Sequence, residues 1–91
     1  KPAPRAELGA EMADLTGGVQ TLVDRALELT EARNFRLACH LIEFAAAAEP
    51  ESPVVHEARR HVYLTRRDNE LSLMAKGVYT AAANESEAVL D

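Results

Sequence analysis

The chain has no tryptophan, two phenylalanines and two tyrosines among 91 residues. Aromatic side chains bury the most area per residue. A core with so few of them must be built from Leu, Val, Ile and Ala. Alanine lets helices approach closely but removes little surface from water. At ~25 cal/mol per Å² of apolar surface, such a core gives one small domain only modest stability, and a partner surface would add to it. There is a single cysteine, Cys39, which excludes an internal disulfide and leaves the compartment undetermined. Cationic charge is in deficit: ten Lys and Arg against fifteen Asp and Glu give a net charge of −5. That balance argues against general nucleic-acid binding, which needs a basic footprint. No apolar run approaches the ~20 residues of a membrane span. The opening "KPAPRAELGAEM" has no signal-peptide core and no initiator methionine, so the chain reads as a fragment or a processed product.

Strand alternation is also missing, and what remains is helical periodicity. Residues 1–4 read as a linker or frayed end. Leu8, Met12 and Leu15 recur at helical spacing despite Gly9, and Gly17-Gly18 ends that first short helix. The second helix is expected over about residues 19–33, with Leu22, Val23, Ala26, Leu27 and Leu29 as its apolar stripe. Asn34 suits the cap of a third helix over about 35–48. Ser52 followed by Pro53 is a strong start signal for a fourth, over about 53–67. A last helix is expected over about 73–84, with residues 87–91 as a tail. Short connections between helices predict an all-α fold of four to five helices in antiparallel hairpins.

The segment "NFRLACHLIEFAAAAEP", residues 34–50, is apolar around most of its circumference, whereas a surface helix has one apolar stripe. Ala38, Ile42 and Ala45 form one stripe, expected to pack on Leu22, Ala26 and Leu29. Leu37, Leu41, Phe44 and Ala48 form a second, expected to meet the helix beginning at Pro53 and, beyond it, something outside the chain. This spacing, with Pro50 closing the hairpin, is that of a tetratricopeptide repeat; Asn34 stands where the turn glycine is usual. A second unit is degenerate, with only Tyr63 fitting well.

The longer order of motifs resembles the dimerisation domain of alkyl sulfatases of the metallo-β-lactamase superfamily. The resemblance covers about residues 5–86. It rests on Gly17-Gly18, "RNFRLACHLIEFAAAAEP", "VHEARRHVYL", and the closing Lys76, Tyr79, Ala82 and Glu85. It implies a helical segment that follows a zinc-dependent hydrolase domain and mediates homodimerisation, in an enzyme acting on sulfate esters of long-chain alcohols. The superfamily's His-x-His-x-Asp-His metal motif is absent. Zinc is therefore expected only in a parent hydrolase domain, with no cofactor here, and the expected partners are a second copy and the parent's other domains.

The residues themselves offer no catalytic set. His56 and His61 are five apart, and His40 with Glu43 supplies two candidate ligands where zinc needs three or four. Cys39 and His40 point about 100° apart on a helix. Arg59, Arg60, Arg66 and Arg67 form a basic stripe, read either as a solvated face paired with glutamates or as a surface for an acidic partner. The chain is thus expected to be a non-catalytic dimerisation or interaction module. Its candidate interface is Leu37, Leu41, Phe44, Met74, Val78 and Tyr79, with Phe44 and Tyr79 as anchors. The competing readings are an independent tetratricopeptide-like adaptor binding a peptide in its groove and a small helical metal or ligand carrier.

Overall fold

The computed structural model describes all 91 residues and consists of five α-helices without strands: α1 (Arg5–Thr16), α2 (Val19–Glu31), α3 (Phe35–Ala48), α4 (Pro53–Asp68) and α5 (Leu73–Leu90). Helices α2–α3 and α4–α5 form successive hairpins of a tetratricopeptide-like bundle. Gly17 and Gly18 adopt φ of +94° and +131° and close α1, with the Gly18 N–H donating to the Ala13 carbonyl at 2.7 Å. The Ser52 hydroxyl accepts from the Val55 N–H at 3.3 Å, so Ser52-Pro53 starts α4 as the sequence indicates. Asn34 differs: its side chain makes no capping bond. The left-handed residue of this turn is Arg33, at φ 62°, and the Asn34 N–H closes α2 by donating to the Leu29 carbonyl.

The core is one cluster of small and branched aliphatics. Leu22, Val23, Ala26 and Leu29 of α2 join Ala38, Cys39, Ile42 and Ala45 of α3 and Val55, Ala58 and Val62 of α4, with Ala13 from α1. The first α3 stripe lies here, as expected. The second is covered differently. Helix α1 lies over Phe44, Ala47 and Ala48 so closely that a Cβ on Gly9 would stand 2.7 Å from the Phe44 carbonyl oxygen. Helix α4 meets α3 through Val55, Ala58 and Val62 in the core and, beside them, through polar side chains, with Arg59 and Tyr63 reaching Glu43. The nearly all-round apolar helix is therefore enclosed by α1, α2 and α4 of its own chain.

Helix α5 packs only against α4. It runs to Leu90 rather than ending near Asn84, because Ser86 is buried against α4 and Glu87 pairs with Arg60.

Candidate interaction surfaces

The basic stripe of α4 is consumed by its own chain. Arg59 is buried. Its Nε donates to Glu43 Oε1 at 2.6 Å, Nη1 to the Ala82 carbonyl at 2.8 Å and to Ser86 Oγ at 3.0 Å, and Nη2 to Glu85 at 3.1 Å. Burial alone would lower the guanidinium pKa. The hydrogen bond and charge of Glu43, then Glu85, outweigh it and leave the pKa raised. Glu43 also accepts from Arg5 Nη2 at 3.1 Å and from the Tyr63 hydroxyl at 3.3 Å. Burial, followed by the Glu43 carboxylate, pushes the Tyr63 phenol far above its ordinary range. Arg60 pairs with Glu87, Arg67 with Asp68, and Arg66 lies 4.4 Å over the Tyr79 ring. No free cationic stripe remains for an acidic partner.

His56 extends this network. Its Nε2 lies 2.7 Å from the Pro50 carbonyl, which can only accept, so Nε2 carries the proton. Nδ1 lies 3.0 Å from the Ser86 hydroxyl oxygen, which accepts from Arg59 Nη1. Every buried side-chain polar atom has a partner. Sequence reasoning passed over Ser86: it has apolar neighbours at helical spacing, Ala82, Ala83, Val89 and Leu90, but nothing local gives its hydroxyl a hydrogen-bonding role. His56 and Arg59, three apart on α4, were the available signal. No three His, Cys, Asp or Glu side chains converge as a metal site.

The candidate interface residues fall into two groups separated by α4. Leu41 and Phe44 are half-buried against the core, and Leu37 is exposed at the start of α3. On α5, Met74 and Val78 are bare, while Tyr79 turns toward α4, with its ring 6.3 Å from that of Tyr63. Leu71 and Leu73 extend the α5 group. Exposure along this run is 97% at Leu71, 84% at Leu73, 83% at Met74 and 60% at Val78. The helix beneath is firmly started: Ser72 Oγ accepts from the Ala75 N–H, and Glu70 accepts from the Ser72 and Leu71 N–H groups, which lowers its pKa. Gly77 is exposed within the same face, and a Cβ there would meet nothing within 4 Å.

A helical bundle whose buried ionic groups are all internally matched, and whose bare apolar surface is concentrated on one helix, belongs to the class of interaction modules. The chain belongs to the alkyl sulfatase dimerisation family, whose model matches residues 1–88. It is a helical dimerisation module related to the alkyl sulfatases of the metallo-β-lactamase superfamily. No curated protein and no solved structure matches it.

Proposed function

We propose that the module forms a homodimer through the N-terminal half of α5 and thereby pairs two copies of an alkyl-sulfatase-like zinc hydrolase domain. The observation that supports this face is the run of Leu73, Met74 and Val78, exposed on a helix that packs only against α4, with Leu71 exposed just before it. Isolated exposed apolar residues are ordinary, but a contiguous apolar patch marks an interaction site. Its shape suits a second copy. Bulky Leu73 and Met74 precede small Gly77 and Ala81 on the exposed side of α5. Antiparallel pairing about a two-fold axis near Gly77 would set the bulky half of each helix against the small half of the other, the self-complementarity that an isologous contact requires. An exposed mid-helix glycine costs ~1 kcal/mol of helix propensity relative to alanine, and close crossing by a second helix gives that position a use. In this arrangement Met74 and Val78 are central. Leu37, Leu41 and Phe44, on the far side of α4, make a secondary surface for the parent's other domains, and Tyr79 supports the face from beneath.

Light scattering coupled to size exclusion tests the assignment. The mass of the chain should rise with concentration, and Leu73→Glu or Met74→Glu should abolish the rise with helicity unchanged, whereas Leu37→Glu should not. A mass that stays monomeric at high concentration, or that is indifferent to Leu73→Glu and Met74→Glu, would count against the α5 face.

A further inference from the structure

A second surface, independent of α5, runs between α2 and α4. Its floor is apolar: Val23 and Ala58 are buried, while Leu27 is half-covered and Val54 more than half exposed. Its margins are acidic. Asp24, Glu28 and Glu31 line the α2 side, and Glu57, with His61 beyond it, lines the α4 side. No lysine or arginine lines the groove, and only Glu28 has a cationic partner in salt-bridge range, Arg25 at 3.6 Å with both side chains exposed. The polar network of Arg59, Glu43 and His56 takes no part.

We propose that this groove is a docking site for a basic amphipathic helix. Its α2 wall repeats at Val23–Leu27 and its α4 wall at Val54–Ala58, four apart on each helix. An apolar ridge lying in the groove would therefore meet rungs at helical rather than extended spacing. The wall from Gln20 to Glu31 is about 17 Å long at 1.5 Å per residue, enough for three turns of ligand. Lysine or arginine flanking that ridge would reach the carboxylates on both margins. The chemistry argues for a foreign segment and against a second copy. The chain has net charge −5, and Arg5, Arg59, Arg60 and Arg67 are already held in ion pairs by Glu43, Glu85, Glu87 and Asp68. The acidic margins likewise disfavour nucleic acid and anionic lipid.

The probe is a fluorescein-labelled peptide of about five helical turns, with a leucine stripe flanked by lysines, followed by anisotropy. It should bind the intact chain, and binding should weaken steeply as salt is raised. The same peptide with glutamates in place of lysines should not bind. The rim triple variant Asp24→Asn/Glu28→Gln/Glu57→Gln should weaken binding about tenfold. The triple Glu7→Gln/Glu11→Gln/Asp14→Asn removes the same charge from the exposed face of α1 and should change affinity less than about twofold. Circular dichroism confirms that both variants fold. Equal losses in the two triples would reduce the effect to diffuse attraction and overturn the site. So would failure of the lysine peptide to bind, equal binding of the glutamate peptide, or loss of self-association in the rim triple, which would place a second copy in the groove.

Discussion

Replacing Gly9 by alanine sets two known effects against each other. Alanine is the better helix former by about 1 kcal/mol, so on an uncovered helix the substitution would stabilise. Here the new methyl would lie 2.7 Å from the Phe44 carbonyl oxygen, 2.8 Å from the Ala47 Cβ and 2.9 Å from the Ala48 nitrogen. Two of these three atoms are backbone of a helix fixed on its other sides, and the third is a methyl carbon with no rotamer to change. Relief must therefore come from α1 moving outward, and overpacking of this kind costs ~1–3 kcal/mol. A gap of ~0.5–1 Å already forfeits a quarter to a half of each dispersion contact along the helix. The loss is bounded by the free energy that docks α1, whose buried residues are only Gly9 and Ala13. The expected net effect is destabilisation by about 1–2 kcal/mol. At about 4–8 °C per kcal/mol in a domain of this size, the melting temperature should fall by about 4–16 °C. Gly77→Ala is the matched control, since its methyl would meet nothing within 4 Å. Measured at a concentration where the chain is monomeric, it should be more stable than the parent by up to about 1 kcal/mol. Urea denaturation of both variants decides the matter. If Gly9→Ala is stabilised as Gly77→Ala is, α1 does not lie where described and the reasoning fails.

Two further outcomes concern the polar network. Ser86→Ala removes the hydroxyl that accepts from Arg59 and is hydrogen-bonded to His56 Nδ1, leaving a buried group unmatched. It should destabilise by about 1–3 kcal/mol in thermal denaturation, although serine to alanine in a helix is otherwise mildly favourable. Tyr63 should give the chain an alkaline limit. Its folded pKa is raised above the ordinary value of about 10, so its contribution is complete below about pH 10 and is lost as pH rises beyond that, when the unfolded phenol ionises first. Urea midpoints should fall above that pH in the parent and fall less in Tyr63→Phe. In Tyr79→Phe, where Tyr63 is the sole tyrosine, phenolate absorbance should appear only well above the ordinary range.

The helices were legible because their signals are local. Ser52-Pro53, the paired glycines and the stripe Leu22, Ala26 and Leu29 each act within a turn or two, and α3 was bounded correctly at residues 35–48. The all-round apolarity of α3 was also visible, but not what covers it. A helix wheel shows that Phe44 and Ala48 need a neighbour without saying which, and Gly9 reads as a weak helix former until its distance to α3 is known. The pairing of the arginine stripe with glutamates was legible; that Arg59 is buried and not solvated was not. Arg59 lies one residue from Arg60 on the same helix, and only the placement of α3 and α5 decides that one is buried against Glu43 and the other paired at the rim with Glu87. Leu73, Met74 and Val78 were legible as apolar. Their separation from Leu37 and Phe44 by α4 was not, because it depends on tertiary arrangement alone.

All twelve residues of the aliphatic cluster lie on α1 to α4, and α5 contributes none. Its own buried residues are Ala83 and Ser86 alone. The last helix is therefore expected to open before the other four, once the bonds of Arg59 and His56 to Ala82, Glu85 and Ser86 are broken. Its amides should exchange with solvent by a sub-global route, at a free energy below that of the whole domain. A second copy bound to the α5 face would hold that helix closed by mass action. The local stability of the C-terminal helix would then depend on protein concentration while that of the other four did not.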